Sequence, residues 1–531
     1  MKRWPKKMMI GVLTAGYAGM IFGELREPEA GDNGFINQPG QTLLAQQLVQ
    51  QAIGRNAQTL FTRLNLDIAE DEVKRLESFY RPELFAESRY TDVKRENSAA
   101  DRLSSALRFD EDIYTEQRWE TEVGVRMPMR TGADITLSLS QSERESSLIS
   151  QLQEERDDGY VDAEYSGSLN LTIRQPLLRG INSRLVEWQI EQAELDQQIT
   201  EQRFRQQVLR VASDALTNYW RLYRQHAFIR IQNEALENAE GIEREVAAQV
   251  NAGRQPPAAR LEAEAQVLDR RSELTDIRQQ LHGLQGEIKT LLNLDGDEYY
   301  LLSFVPGDRP RKSPHARPDD YEEYVKTLID QWPGYQIAMT SIAVERLNSR
   351  VAVEENRPQL DLNLGYSTSS LTGSSSDALN ESFKTEYPTW FVGLEYRMPL
   401  GPNARRDADL RTAKSRELQA DLDMRGIRSS LTNELRTRLQ QIDSAHQAMD
   451  YAERNVDLYR QLYLAESRRF SAGQTRLRVL QEREDDRIQA ERRYIDAVVR
   501  YQLAIVALQL AEGSLFEQYG INISSQLASA M

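Results

Sequence analysis

Two very long helical stretches, each broken once at a glycine, constrain the fold of this chain more than any other feature. Pro176 to Gly253 spans 77 positions, and Pro399 to Gly473 spans 74. A second helical stretch returns after each glycine, to about Leu292 and about Gly513. At 1.5 Å per residue, an arm of about 73 residues is roughly 110 Å long. Such an arm cannot fold into a compact globule and needs partner helices, from this chain or from other copies.

Both breaks have the composition of helix turns. Asn251-Ala252-Gly253 and Ser471-Ala472-Gly473 each end on glycine, which tolerates the positive φ of a helix C-cap. Pro256 and Pro257 suit the start of the returning helix. Apolar residues recur at steps of three and four, which predicts coiled-coil packing. They include Val208, Val211, Ala215, Tyr219 and Leu222, and later Tyr494, Val498, Tyr501, Ile505 and Leu508.

The helices belong to a plan that occurs twice. Residues 48–90 and 324–366 align without gaps at an offset of 276. Each stretch predicts an amphipathic helix, then Arg-Pro, then an alternating strand. Proline restricts the preceding residue to extended conformations, so it suits a helix-to-strand junction. A second proline closes each β-region, and the predicted boundaries are therefore Pro82, Pro176, Pro358 and Pro399.

Five segments in these β-regions alternate with a period of two. Residues 165–174, for example, place Leu169, Leu171 and Ile173 on one face and polar side chains on the other. Lengths near ten residues suit an outer-membrane barrel, apolar outward and polar toward a lumen. A half-buried soluble sheet has the same alternation. Candidate interfacial aromatic residues near strand ends are Tyr90, Trp119, Tyr165, Tyr366, Tyr387 and Trp390.

The first β-region is longer than the second, with 94 positions between its prolines against 41. The surplus includes an extra hairpin around Arg130-Thr131-Gly132 and two charged segments, 92–118 and 142–159. We interpret the charged segments as extracellular loops. The pattern leaves open whether the extra hairpin joins the barrel or extends above it.

The N-terminus predicts export. Lys2, Arg3, Lys6 and Lys7 precede an uncharged run from Met8 to Phe22, as in a signal peptide, with a short membrane anchor as the alternative. The chain has no Cys, which excludes disulfides, thiolate metal sites and an N-terminal lipidated Cys. Its net charge of −16 argues against nucleic acid as a partner. The four His are scattered and no phosphate-binding or nucleophile motif occurs, so we expect no enzyme, metal site or cofactor.

With these features, the chain resembles the TolC-type outer-membrane efflux family over about residues 40–515. The resemblance rests on the segment 175–180 (Gln-Pro-Leu-Leu-Arg-Gly), on the prolines at 82 and 358, and on segment 469–473 (Arg-Phe-Ser-Ala-Gly) followed by Val479-Leu480. It implies an α+β membrane protein with an internal tandem repeat. A homotrimer would form a long α-helical coiled-coil barrel continuous with a transmembrane β-barrel, with four strands from each chain.

The expected organisation follows the repeat. It comprises a signal peptide (1–23), an N-terminal and first equatorial or helical stretch (24–81), a first β-region with long extracellular loops (82–176), a first helical hairpin (177–293), an equatorial linker and second-repeat helix (294–357), a second β-hairpin (358–399), a second helical hairpin (400–513) and a C-terminal tail (514–531).

The resemblance also implies a function, passive conduction across the outer membrane of a Gram-negative bacterium. Substrates would come from a periplasmic adaptor and an inner-membrane pump, in efflux or in type I protein secretion. The adaptor-docking residues carried over from the family are Ala252, Gly253, Arg254, Ala472, Gly473 and Gln474. The alternative from another class is an exported or cytoplasmic coiled-coil scaffold without channel activity.

The chain departs from the family just after the second tip, where members often carry acidic residues that face the pore entrance. Arg478 and Gln481 occupy these positions. Acidic residues follow at Glu482, Glu484, Asp485 and Asp486, and in a trimer they would form a ring that favours cations. A solvated helix face explains the same acidic residues without a pore.

Overall fold

A computed structural model describes residues 40–96, 113–146, 163–296, 299, 301–316, 318–384, 386–398 and 404–521. The predicted signal peptide and Pro399 lie outside these residues. The helices are α1 (Ala45–Arg55), α2 (Ala57–Glu77), α3 (Arg184–Asn251), α4 (Pro257–Leu291), α5 (Tyr321–Ile329), α6 (Pro333–Glu355), α7 (Ser375–Ser382), α8 (Ala404–Ser471), α9 (Leu477–Glu512) and α10 (Leu515–Gln518). The strands are β1 (Gln41–Leu43), β2 (Glu83–Glu96), β3 (Ile113–Pro128), β4 (Asp134–Ser146), β5 (Glu164–Pro176), β6 (Phe304–Pro306), β7 (Gln359–Thr372) and β8 (Pro388–Arg397).

Both halves of the chain follow the same order of elements. In each half two helices lead through Arg-Pro into a strand, and a later strand leads into a helical hairpin. The long helices α3 and α8 have 68 residues each, or about 100 Å, and their partners α4 and α9 have 35 and 36. Each hairpin is therefore asymmetric, and the excess length of α3 and α8 extends toward the sheet.

The long helices form one layer. Among the described helices, α3 packs against α4 and α9 and, nearer the sheet, against α2 and α6. Helix α8 packs against α9 and, nearer the sheet, against α6. The apolar stripe predicted on α3 is buried throughout, because it faces these neighbours. The chain thus forms a wall four helices wide, with α2 and α4 at one edge and α8 at the other.

Short elements surround the middle of this wall. Strands β1 and β6 pair in parallel, and α1 packs against α3 with Leu48 and Val49 fully buried. On the other half, α5 buries Val325 and Ile329 against a cluster formed mainly by α8 and α9. Val49 and Ile53 correspond to Val325 and Ile329 in the sequence repeat, and all four are buried, so the repeat reflects the same packing contact made twice.

One helix, α9, is long and apolar enough to cross a membrane, judged over the described part of the chain. However, 61% of its most apolar window is buried inside the chain. Tyr501 and Leu508 have no exposed surface. The apolar character of α9 therefore reflects its position in the core of the helical wall.

The β-regions join in one antiparallel sheet with the order β2-β3-β4-β5-β7-β8. The described sheet thus has six strands in one chain, two more than the four that the resemblance implies for the barrel. The extra hairpin, β3–β4, pairs with β2 over residues 113–126 and with β5 over residues 134–144. Strand pairing also reaches residues 92–96, 113–118 and 142–146, parts of the segments predicted as loops. Charged side chains there pair between strands, as Arg144 of β4 does with Glu116 of β3 at 3.4 Å.

Candidate functional site

The two helical turns lie at the same end of the molecule and have the same backbone geometry. Gly253 and Gly473 adopt φ of +69° and +73°. In the first turn the amide of Gly253 donates to Val250 O at 2.9 Å and that of Arg254 donates to Gln249 O at 2.8 Å. The second turn repeats this pattern from Gly473 and Gln474. These paired bonds form a Schellman motif, in which glycine is the residue that best tolerates the positive φ.

A small hydrophobic cluster holds the two turns together. Phe470, one turn of helix before Gly473, is almost fully buried against the other hairpin. The remaining buried members are Val246, Ala259, Ala263, Leu477 and Leu480. The adaptor-docking residues carried over from the family, Ala252, Gly253, Arg254, Ala472, Gly473 and Gln474, are all exposed beside this cluster. The structure therefore places the six together on one surface.

This end of the chain is strongly basic. Residues 246–261 and 467–481 contain no Asp or Glu, and their only charged residues are six arginines, although the whole chain has a net charge of −16. We call this set the arginine tip: Arg254, Arg260, Arg468, Arg469, Arg476 and Arg478. All six are exposed. Arg478 pairs with Glu482 at 3.1 Å and Arg469 with Glu466 at 3.7 Å, one helical turn away in each case.

The residues predicted as a pore-entrance ring are not all on one surface. Gln481 is half-buried and Glu482 is exposed. Asp485 forms an ion pair with Arg270 of α4, and Asp486 pairs with Arg483 at 2.9 Å. Glu484 has no exposed surface and points into the helical wall. The prediction that Glu484 belongs to a pore-entrance ring is therefore wrong, because a fully buried carboxylate cannot line a pore.

Glu484 belongs instead to a buried ionic layer with Arg487, Glu491 and Arg270. Arg487 pairs with Glu491 at 3.0 Å and with Glu234 of α3 at 3.1 Å. Burial raises the pKa of Glu484, and the positive charges of Arg270 and Arg487 oppose that rise. Sequence reasoning missed this layer. The signal was the core spacing of α9, which continues backward from Tyr494 at steps of three and four through these charged residues.

The sheet has one apolar and one polar face. Its pairing aligns a row of apolar side chains across the six described strands: Leu84, Val125, Leu137, Leu171, Tyr366 and Trp390. The opposite face carries rows of Glu, Arg, Ser, Thr and Asn. A hollow of about 380 Å³ lies on the polar face, lined mainly by two of its rows, including Glu87, Glu122 and Ser140. The sheet is therefore concave on its polar side.

The predicted β-boundary prolines lie at junctions between the sheet and the helices. Pro82 separates the helical turn Ser78–Tyr80 from β2, and Pro358 separates α6 from β7. Pro176 ends β5, a short distance before α3. Within the described residues, no group of three or more His, Asp or Glu side chains is arranged to hold a metal ion.

The sequence model of the outer membrane efflux protein family matches residues 335–514, which run from α6 to the end of α9. The resemblance to the TolC-type family is confirmed. A search of curated proteins found no match. The match covers 180 of the 531 residues, all in the second half of the chain, and the first half repeats the same elements in the same order. Such family members are channel proteins rather than enzymes.

Solved structures share the fold over nearly the whole chain. A membrane protein from Pseudomonas aeruginosa has a TM-score of 0.66 at 17% identity, covering 88% of this chain and 93% of that one. The Campylobacter jejuni CmeC outer membrane channel has 0.65 at 15%, covering 91% and 89%. The Vibrio cholerae outer membrane protein VceC has 0.63 at 14%, covering 88% and 96%. At these identities the likeness concerns the TolC-type fold alone.

Proposed function

We propose that this chain forms the outer-membrane exit duct of a tripartite efflux or type I secretion system. The duct passively conducts substrates from a periplasmic adaptor and an inner-membrane pump to the outside. The observation that carries this proposal is that the sheet has one apolar face and one polar face. Its convex face is apolar and exposed, its concave face is polar, and its strands lead into helices about 100 Å long.

Exposed apolar side chains on the convex face support contact with lipid. Trp390, Val392 and Leu394 of β8 are each more than 60% exposed, and Leu84 of β2 is 74% exposed. Water would disfavour such a surface, whereas the hydrocarbon core of a bilayer favours it. The rows of polar side chains on the concave face suit a water-filled lumen.

The two open edges support assembly into a ring. In lipid, an unpaired strand edge leaves backbone groups without hydrogen bonds, so β2 of one copy must pair with β8 of the next. The helical edges carry exposed apolar stripes at comparable heights. The stripe on α2 lies about 14–24 Å from the end of that helix nearest the sheet, and the stripe on α8 lies about 21–27 Å from the corresponding end. The residues are Phe61, Leu64 and Ile68 on α2, and Leu418 and Leu422 on α8.

The same correspondence occurs near the tips. Leu261 and Leu268 of α4 lie about 6–17 Å from the first turn, and Leu458 and Leu462 of α8 about 14–20 Å from the second. Head-to-tail contact of one edge with the other closes into a ring. We infer a homotrimer, the number that the TolC-type resemblance implies.

The arginine tip is the proposed docking site for the adaptor. In a trimer the eighteen guanidinium groups would meet at one end of the tube, and the complementary surface on the adaptor would be acidic. The same basic surface suits the adaptor of an efflux pump or of a type I secretion system.

The deciding experiment is fractionation of cells that express the full chain, followed by the mass of the purified particle in detergent. We expect an outer-membrane particle of three chains that needs detergent and gives conductance steps in a planar bilayer. A particle that is soluble without detergent would refute the duct and favour the coiled-coil scaffold.

A further inference from the structure

We infer that the barrel formed by this chain has eighteen strands, six from each of three copies, and is about as wide as the helical tube below it. The inference rests on the proposed trimeric duct and adds the architecture of its outer-membrane part. It departs from the twelve strands that the family resemblance implies.

The extra hairpin, β3–β4, is built into the sheet. Every residue from Glu83 to Glu96 of β2 pairs with β3, and β4 pairs with β5 from Asp134 to Arg144. The apolar row continues through the hairpin at Val125 and Leu137. A hairpin that extended above the membrane would have no reason to keep apolar residues on the lipid side and polar residues on the other.

The turn of this hairpin is anchored at the junction between sheet and helices. Ser183 Oγ donates to Met129 O at 2.9 Å, and the amide of Asn182 donates to Thr131 O at 2.9 Å. Gln175 Nε2 donates to Thr131 O at 2.9 Å. The hairpin therefore begins at the same level as β2 and β5, where a barrel strand must begin.

The backbone before α3 is shaped to receive that turn. Asn182 and Ser183 adopt φ of +55° and +47°, a left-handed conformation that asparagine tolerates and serine rarely adopts. A Cβ on Gly132 would lie 2.6 Å from Gly180 O, so only glycine fits at this contact. A serine in the left-handed region and a close backbone approach at one point indicate a contact that the fold maintains at a cost.

The width of the sheet matches that of the helical wall. Strands about 4.8 Å apart and tilted by about 40° each occupy about 6 Å of circumference, so the six described strands span about 38 Å. The wall of four described helices spans about 36–40 Å at 9–10 Å per helix. Four strands would span only about 25 Å. Three copies of six therefore give a barrel about 36 Å in backbone diameter, against about 24 Å for twelve strands.

The lumen side of this sheet carries no helix among the described residues. Helix α7 packs over the sheet, and the hydroxyls of Thr368 and Ser370 donate to its backbone. These two residues lie on the same face of β7 as Tyr366 and Leu364, which is the apolar face. The helix therefore covers the convex face at the loop end of the strands. A barrel of this width would enclose an aqueous channel comparable to that of large porins.

The test uses single cysteines, for which the chain is suited because it contains none of its own. Thr136 and Leu137 are neighbours on β4, polar face and apolar face respectively, and pair with Thr172 and Leu171 on β5. The variants are T136C and L137C, with T172C and L171C as matched controls. Each is purified, checked for mass, placed in lipid vesicles and exposed to a membrane-impermeant maleimide. A second sample of each is labelled with a fluorescent maleimide in detergent before reconstitution and is then exposed to a lipid-dissolved quencher.

We expect T136C to react with the maleimide as T172C does, and L137C to be shielded and quenched as L171C is. Reaction of both β4 cysteines, while the β5 pair still alternates, would place the hairpin outside the barrel and overturn the inference but leave the duct intact. Loss of alternation in the β5 pair would refute the duct itself.

Electron cryo-microscopy of the unmodified particle in a lipid nanodisc provides the direct count. Eighteen strands around a three-fold axis would support the inference. A dimer with twelve strands, or a trimer whose β3–β4 hairpins lie outside a twelve-stranded wall, would overturn it. The mass separates these two outcomes.

Discussion

Replacing Phe470 with alanine should loosen the tip without unfolding the rest of the tube. The ring is 2% exposed and fills the space between the two hairpins. Its neighbours across that space include Ala259 and Ala263, whose short side chains cannot move in to fill a cavity. Phe→Ala changes in cores cost about 3–5 kcal/mol. The lower value applies here because the cluster lies next to solvent.

Local opening makes this prediction measurable. Because the tip cluster is separate from the larger clusters around α1 and α5, its opening need not involve them. A loss of about 3 kcal/mol raises the local opening constant about 140-fold. Hydrogen exchange of the purified particle should therefore show faster exchange of amides in residues 242–263 and 463–480, and unchanged exchange around Tyr219.

The matched control is Leu464→Ala on the same helix, since Leu464 is 48% exposed. It should leave exchange at the tip nearly unchanged. Equal effects of the two substitutions, or a Phe470→Ala effect spread evenly over the chain, would refute the reasoning that one buried ring joins the two hairpins.

Three further outcomes are expected. Gly473→Ala should destabilise the particle by about 1 kcal/mol per chain through its positive φ alone. Gly241→Ala lies inside α3, where no atom is within 4 Å of the added Cβ, and should stabilise the particle by a similar amount. The two shifts in melting temperature should therefore have opposite signs, and equal signs would contradict the argument. Burial raises the pKa of Glu484, so its ionisation destabilises the fold above the folded-state pKa and has no effect below the unfolded-state pKa. Glu484→Gln should therefore raise the melting temperature at pH 7 and lose this advantage as the pH falls toward about 4. The exposed control Glu482→Gln should show no such trend. The positive charge of the arginine tip should favour anions, so changing its six arginines to Gln should shift the reversal potential in a KCl gradient toward lower anion preference. An unchanged potential would show that the tip does not determine the ion selectivity.

The buried ionic layer explains why Glu484→Gln should be tolerated. Arg270 keeps Asp485 and Glu273 as partners, and Arg487 keeps Glu491 and Glu234. Neutralising Glu484 therefore leaves no arginine without a carboxylate. Removing Arg487 instead would leave buried carboxylates unpaired and should be more disruptive.

Much of the fold could be predicted from the sequence because its signals are local. Steps of three and four residues identified the core face of α3 and the later half of α9, and the glycines at 253 and 473 marked the turns where a positive φ was needed. Alternation with a period of two identified β5, β7 and β8 and their apolar faces. The tip residues followed from the ends of the helices, since a turn between two long helices is necessarily exposed.

The tertiary structure decided what depends on contacts between distant segments. Alternation shows which side of a strand is apolar, but not which strand pairs with it, so only the pairing of β3 with β2 and of β4 with β5 placed the extra hairpin in the sheet. Charge along a helix likewise does not reveal its neighbours. Glu484 reads as a solvated acid in sequence, and it is buried because α4 supplies Arg270 from more than 200 residues away. The residue patterns of this chain determined its elements and their faces, while long-range pairing determined the number of strands in the sheet and which charges are buried.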